Sequence, residues 1–325
     1  MSVRETVGAV IIGRNEGDRL LRCLASLPTS IGRTVYVDSG STDGSAEAAR
    51  ANGAEVVSLD LSTPFTAARA RNAGFAKLVE SQQFDFVQFI DGDCELRDEW
   101  LETAMAFLSA TSKAAVVCGR RRERFPEASV YNQLCDREWN TPIGQAKACG
   151  GDALIRGAAF EGIGGFNPSL IAGEEPELCV RLRAKDWQIW RLDCEMTWHD
   201  AAITRFGQWW NRTKRSGYAF AEGAAMHGAE PERHWVRETM RALIWGVALP
   251  IFILICLSIF GPWGLLSALL YPLQVVRIAR RDRDAAHVWA CAMLTVGGKF
   301  PEALGVLQYW TSRLRRKRSE LIEYK

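Results

Sequence analysis

The chemistry of this chain centres on Asp91 and Asp93, which close the apolar run Phe89-Ile90 as an Asp-Gly-Asp sequence. A turn at the end of a buried strand aims both carboxylates at one small volume. Two like charges so close repel and raise each other's pKa, unless a hard divalent cation and a phosphate complete the site. Metal plus diphosphate is the chemistry this spacing suits. Asp38 opens the loop Asp38-Ser39-Gly40-Ser41-Thr42-Asp43-Gly44. Its carboxylate can accept the imide N–H of a uracil or the donors of another base or ribose, or it can close an Asx turn, with Asp43 capping the next helix. Arg69 and Arg71, followed by Asn72, put cations either near the phosphates or on a solvated helix face. Gly150-Gly151-Asp152 allows close backbone approach to a sugar, or forms a simple turn. A phosphotransferase with an aspartyl nucleophile would also place Asp-x-Asp after a strand, but Cys94 and Glu95 come next here and no downstream Lys with paired acids completes that site.

Apolar strand-like runs alternate with helical patterns through the first hundred residues. Residues 7–13 form a continuous apolar run, as in a strand buried on both faces of a parallel sheet. Helical spacing over 18–27 (Leu20, Leu21, Leu24, Leu27) leads to a β-branched run at 34–37. An Ala-rich helix at 45–52, stopped by Gly53, precedes a strand at 54–59. A helix at 67–81 and a strand at 84–90 come after it. This alternation predicts an α/β domain with a mainly parallel sheet and a ligand site at the carboxyl ends of its strands. The polar clusters fall at those ends. Residues 114–197 read as the acceptor-facing half of the same domain, with a strand at 115–119, glycines at 150–151 and 162–165, and a helix at 176–185.

Four stretches stand in the order and spacing of family 2 glycosyltransferases of the GT-A (Rossmann-like) fold: Val10-Ile11-Ile12-Gly13-Arg14-Asn15-Glu16, Asp38-Ser39-Gly40-Ser41-Thr42-Asp43, Arg69-Ala70-Arg71-Asn72-Ala73-Gly74 and Asp91-Gly92-Asp93. The chain resembles that family over about residues 7–220. Gly173-Glu174-Glu175-Pro176-Glu177-Leu178 with Arg181 is similar to its acceptor-side Glu-Asp motif, and Gln208-Trp209-Trp210-Asn211-Arg212 to its Gln/Arg-x-x-Arg-Trp region. The resemblance implies an inverting single displacement from a nucleotide-diphosphate sugar, UDP being the expected nucleotide, with Mn²⁺ or Mg²⁺. Such a transfer needs one general base and a cation at the departing diphosphate. Carried onto this chain, the resemblance gives Glu175 as base, with Glu174 the second candidate. The same pair also suits a helix N-terminus. Asn15, Glu16, Asp38, Arg69, Arg71, Asp91, Gly92, Gly151 and Asp152 would bind the nucleotide sugar. Asp93, Asp91 and His199 would hold the metal, and Trp209, Trp210 and Arg212 would lie on the acceptor or diphosphate side. The family usually has Asp where this chain has Glu175, and Thr213 comes after Arg212 where processive synthases carry Trp. That departure favours one sugar added per encounter.

Positions 242–276 carry no charged residue. The stretch exceeds one membrane span of about 20 residues, so it is expected to form a tight helical hairpin, spanning or re-entrant, with Gly261-Pro262 at the turn. Arg237 and Arg241 precede it and Arg277, Arg280, Arg281 and Arg283 come after it, which puts both flanks on one cytoplasmic side. Leu304, Leu307, Trp310 and Leu314, with Arg313, Arg315, Arg316, Lys317 and Arg318, suit an amphipathic helix on an anionic surface, or a solvated basic helix. The expected division is a catalytic domain over 1–235 and a membrane-associated helical region over 236–325. A formal net charge of +2 gives no reason to expect nucleic acid as a partner. Nine cysteines without a CxxC pair argue against a disulfide framework or a zinc site. The segment 1–6 lacks a signal-peptide h-region, so the front of the chain is expected in the cytoplasm of a bacterium, at the inner membrane. A lipid-linked saccharide acceptor in exopolysaccharide or glycolipid assembly fits that location. The competing reading is a membrane-anchored nucleotide-sugar-binding or scaffold protein without turnover.

Overall fold

The computed structural model of the chain describes residues 5–63, 65–283 and 287–315. Two compact units emerge, one over 1–125 and 135–201, the other over 126–134 and 202–325. The first holds β1 (Val7–Gly13), α1 (Asp18–Ala25), β2 (Ile31–Asp38), α2 (Ser45–Ala51), β3 (Glu55–Ser58), α3 (Ala67–Val79), β4 (Phe86–Asp91), β5 (Cys94–Leu96), α4 (Trp100–Ala110) and β6 (Ala114–Glu123). After α5 (Val130–Glu138) it continues with β7 (Gly144–Ala146), β8 (Ala153–Arg156), α6 (Gly157–Gly162), α7 (Glu174–Arg183) and β9 (Gln188–His199). The strands join in one sheet in the order β3-β2-β1-β4-β8-β6-β9-β5, with β7 paired to β9.

β1 is central and parallel to both neighbours, and Val7, Ala9, Val10 and Ile11 are buried, as a strand covered on both faces requires. Strand register brings the two acids together. Gly13 is opposite Asp38 on β2, and Ile12 is opposite Asp91 on β4, so both carboxylates end up at the carboxyl ends of strands flanking β1. β8 runs antiparallel between β4 and β6, and β9 returns parallel to β6. Asp152, Arg121 and His199 thereby reach the same end of the sheet as Asp91. Beneath them Phe75, Phe89, Phe160 and Phe166 form an aromatic core with centroids 4.6 to 5.4 Å apart.

The second unit is helical: α8 (Phe206–His227), α9 (Val236–Leu243), α10 (Leu249–Phe260), α11 (Leu270–Arg281), α12 (Val288–Gly297) and α13 (Lys299–Leu314). α8 and α13 cross with their backbones in contact. A Cβ on Gly217 would overlap the Glu302 carbonyl, and one on Gly305 the Lys214 carbonyl. By compactness α8 therefore belongs with the helices, so the division at 201/202 precedes the 235/236 boundary expected from the sequence. The run Val236–Arg281 is long and apolar enough to cross a membrane by length and composition. It reverses at Gly261. A 3₁₀ segment, Gly261–Leu269, lies back along α10 with Gly264 against Cys256, and the Tyr271 hydroxyl donates to the Trp245 carbonyl at 2.7 Å. Trp263, Ile259 and Leu254 are 77%, 66% and 64% exposed. α13 buries Ala303, Val306 and Tyr309 and leaves Leu304, Leu307 and Trp310 outward. Arg316, Lys317 and Arg318 lie outside the described residues.

Candidate active site

Arg71 is the electrostatic centre of the first unit. Only 2% exposed, it pairs through Nη2 with Asp91 Oδ1 at 2.8 Å and through Nη1 with Glu174 Oε1 at 2.9 Å and Glu175 Oε1 at 2.8 Å. Burial opposes its charge, but the Glu175, Asp91 and Glu174 carboxylates outweigh burial and hold the guanidinium above its ordinary value. α3 brings Arg71 from one side of the sheet end and the first turn of α7 brings the two glutamates from the other. A second buried arginine completes the cluster. Arg121 Nη2 is 2.9 Å from Asp152 Oδ2 and 3.8 Å from Asp91 Oδ2. Asp152 is fully buried; it accepts from the Thr197 hydroxyl at 2.8 Å and from the Asp91 backbone N–H at 3.1 Å. Burial pushes the Asp91 carboxyl up, yet Arg71 and Arg121 outweigh it and hold it below its ordinary value.

The two acids of Asp91-Gly92-Asp93 thus separate. Asp91 faces the arginines, while Asp93 turns to His199, whose Nε2 is 3.3 Å from Asp93 Oδ1. The pairing arises from β5 against β9, which sets Cys94 opposite His199. His199 Nδ1 has no hydrogen-bond partner among the described residues, and the Trp139 ring meets the imidazole edge-on at a centroid distance of 4.6 Å. Asp93, Cys94 and His199 offer ligand atoms within 4.8 Å of one another, as do Asp91, Cys94 and Asp152. Burial pushes the Cys94 thiol well above its ordinary value, and a soft sulfur donor suits Mn²⁺ or Mg²⁺ poorly. A carboxylate and an imidazole therefore remain as the donors fit for Mn²⁺ or Mg²⁺ in the first group. In the second group Asp91 and Asp152 are already engaged by arginines.

Residues 9–151 match the family described as Glycosyl transferase family 2. These residues belong to that family. The succinoglycan biosynthesis protein ExoA of Rhizobium meliloti is 28% identical over 211 residues, 60% of this chain and 63% of that protein. Glycosyltransferase AglE of Haloferax volcanii is 26% identical over 182 residues, 51% of this chain and 58% of the relative. The similarity thus spans about six tenths of each of these curated relatives. Among solved structures, the mannosyltransferase PcManGT of Pyrobaculum calidifontis, described in complex with GDP-Man and Mn²⁺, superposes with a TM-score of 0.67 at 17% identity, covering 94% of this chain and 88% of that one. That likeness shows a shared fold. The expected GT-A sheet followed by a helical region is present.

Within the family 2 domain the motif residues divide by what they touch. Asn15, at φ 56°, accepts from the Thr42 N–H at 2.8 Å, and its own N–H donates to Ser41 Oγ at 2.9 Å. Asp38 accepts the Gly40 and Ser41 N–H groups, each at 3.1 Å through Oδ2, so its carboxylate forms the turn. Asp43 accepts from Ser45 N–H at 3.0 Å and Gly17 N–H at 3.0 Å. Glu16 pairs with Arg19 at 2.8 Å and lies beside Gly92. Arg69 donates to the Thr63 and Asp60 carbonyls at 2.9 and 3.1 Å, bracing the loop before α3. Gly151 is held by contact: a Cβ there would stand 2.6 Å from Arg71 Nη2 and 2.7 Å from Asp91 Oδ2.

Arg71, Asp91, Asp93, Gly151, Asp152, Glu174, Glu175 and His199 converge in this unit. Trp209, Trp210 and Arg212 lie on α8 in the helical unit. There Trp209 is buried against Tyr131 and Phe206 at centroid distances of 6.0 and 5.3 Å, as a packing residue would be. Sequence reasoning passed over Arg121 and Trp139. An arginine run closing the apolar strand β6 was the available signal for the first.

Proposed function

We propose that the chain is an inverting, metal-dependent glycosyltransferase that moves a sugar from a nucleoside-diphosphate donor to a hydroxyl acceptor, with Glu175 as general base. One observation carries the assignment of the base. Burial and the neighbouring Glu174 charge push the Glu175 carboxyl up to about 7, against the opposing pull of Arg71. A base whose pKa lies near the working pH is half available and still strong enough to take a hydroxyl proton. Glu174 is the more enclosed of the two and shares the same Arg71 nitrogen, which suits it to hold Arg71 and Glu175 in place.

Asp93 and His199 would hold the divalent ion, which when bound stabilises charge on the departing diphosphate. Arg71 and Arg121 keep Asp91 ionised and turned away from that position, so the two acids of the motif do different work. Asp38 and Asn15 shape the loop after β2, which offers backbone groups to a base or ribose. Gly151 lets the β8 approach run against Arg71 and Asp91, closing the floor of the donor pocket. A panel of UDP-, GDP- and dTDP-sugars with Mn²⁺, Mg²⁺ or EDTA identifies the donor. Free nucleoside diphosphate released from one of them, only with metal, is the expected result; no release from any donor would move the weight to a scaffold without turnover.

The helical unit supports attachment at the cytoplasmic face of a bacterial inner membrane, where a lipid-linked saccharide would meet the site in exopolysaccharide or glycolipid assembly. The similarity to a succinoglycan biosynthesis protein points the same way. The hairpin at Gly261 supports entry and exit on one side, since arginines flank both its ends. Full-length protein is expected to float with vesicles in a density gradient, and to keep floating in high salt because the apolar hairpin holds it. Release by salt alone would leave only the basic helix as an anchor.

A further inference from the structure

A cavity of about 550 Å³ lies between β6, β9 and the end of α5, lined among others by Arg120, Arg122, Asp136, Arg191 and Glu195. Arg121 turns to Asp152, whereas its neighbours Arg120 and Arg122 enter the cavity. The strand therefore separates this cavity from the candidate active site. Its acids are largely engaged. Asp136 is 2.9 Å from Arg120 and 3.8 Å from Arg122 Nε, and Glu195 is 3.1 Å from Arg122. Asp193 also lines the cavity but is exposed to solvent.

Arg191 is different. It is 3% exposed, its Nη1 donates to the Leu192 carbonyl, its Nε has no hydrogen-bond partner, and it makes no ion pair among the described residues. A buried guanidinium without a counter-ion is unfavourable until an anion joins it. At Arg120, burial holds the guanidinium below its ordinary value; Asp136 and Glu195 oppose this, and Arg122 and Arg191 add to it.

We propose that this cavity is a second anion site, which takes the phosphoryl group of a small phosphorylated molecule. Three converging guanidiniums suit the oxygens of a tetrahedral dianion better than a single planar carboxylate. The volume leaves room for a glycerol- or sugar-sized body attached to the phosphate. Occupancy has a route to the chemistry. The ligand competes with Asp136 for Arg120, and Asp136 and Asn140 flank Trp139, which rests on His199. A bound phosphate ester thereby acts as an effector of the His199 side of the site. Binding of the ester stands independently of the transfer reaction proposed above, whereas its effect on the His199 side rests on that reading.

Full-length protein in detergent, free of divalent metal, is titrated calorimetrically with inorganic phosphate and with glycerol 3-phosphate. Wild type is compared with Arg122→Gln and Arg191→Lys. Saturable binding is expected in wild type, weakened about tenfold or more in each variant, with UDP affinity in Mn²⁺ unchanged in Arg122→Gln. Arg122 is partly exposed, so its variant remains informative should the Arg191 variant fail to fold. Tighter binding of the ester than of the ion assigns a small-molecule effector, and equal affinities assign the ion itself; both support the site. No binding at about 10 mM phosphate, binding that both variants leave unchanged, or a parallel loss of UDP affinity in Arg122→Gln would overturn it.

Discussion

Glu175→Gln is expected to lower kcat by about 10²- to 10⁴-fold while leaving donor affinity within a factor of about three, because the amide keeps the shape and loses only the proton acceptor. The pH dependence carries the more specific test. A base raised to about 7 is protonated and idle below that value. Activity of the wild type therefore rises with pH through about 7 and then levels off. In the variant this limb disappears. Glu174→Gln, by contrast, removes one charge that raises Glu175, so its rising limb moves to lower pH. If Glu174→Gln abolishes the limb and Glu175→Gln merely shifts it, the two roles are exchanged.

Arg71→Met is expected to cost about 3–5 kcal/mol of stability, as removal of one partner from a buried ion network does. The loss is large because three carboxylates, Asp91, Glu174 and Glu175, share this one side chain. An apparent melting temperature lower by roughly 10 °C is expected for a domain of this size. The sign of the pH effect is fixed. Without the guanidinium the Asp91 carboxyl loses the main charge that holds it below its ordinary value, and the Glu175 carboxyl, already raised, rises further. Their protonated forms then favour folding at low pH, and this is lost as pH rises through the raised values. The deficit against wild type thus narrows in acid. Arg71→Lys does not restore the cluster, since a point charge cannot reach three carboxylates as a planar fork does. A melting temperature unchanged in Arg71→Met would remove Arg71 from the centre of the site.

The sheet was legible because apolar runs such as 7–13 alternate with helical spacing, and the carboxyl-end rule then located Asp38 and Asp91. The hairpin was legible from thirty-five charge-free positions, 242–276, broken at Gly261. Local bonding was not. Asp38 and Asn15 carry the motif and their side chains also brace the loop itself, and no spacing distinguishes a loop brace from a ligand contact. Arg121 was hidden for another reason. β6 slips register against β9 on both sides of Arg120, so simple alternation from Ala114 does not tell which of three consecutive arginines faces the site. The place of α8 depended on long-range contact between Gly217 and Gly305, some ninety residues apart, which periodicity along one helix does not reveal.

We propose that Asp93 and His199, and not Asp91, hold a divalent ion together with the donor diphosphate. Titration of Mn²⁺ into the full-length protein with and without UDP, monitored by electron paramagnetic resonance, checks this assignment. Uptake is expected to be strengthened by UDP and to fall at least about tenfold in Asp93→Ala and in His199→Ala. Mn²⁺ and UDP binding that Asp93→Ala leaves unchanged would exclude Asp93 as a ligand of the ion.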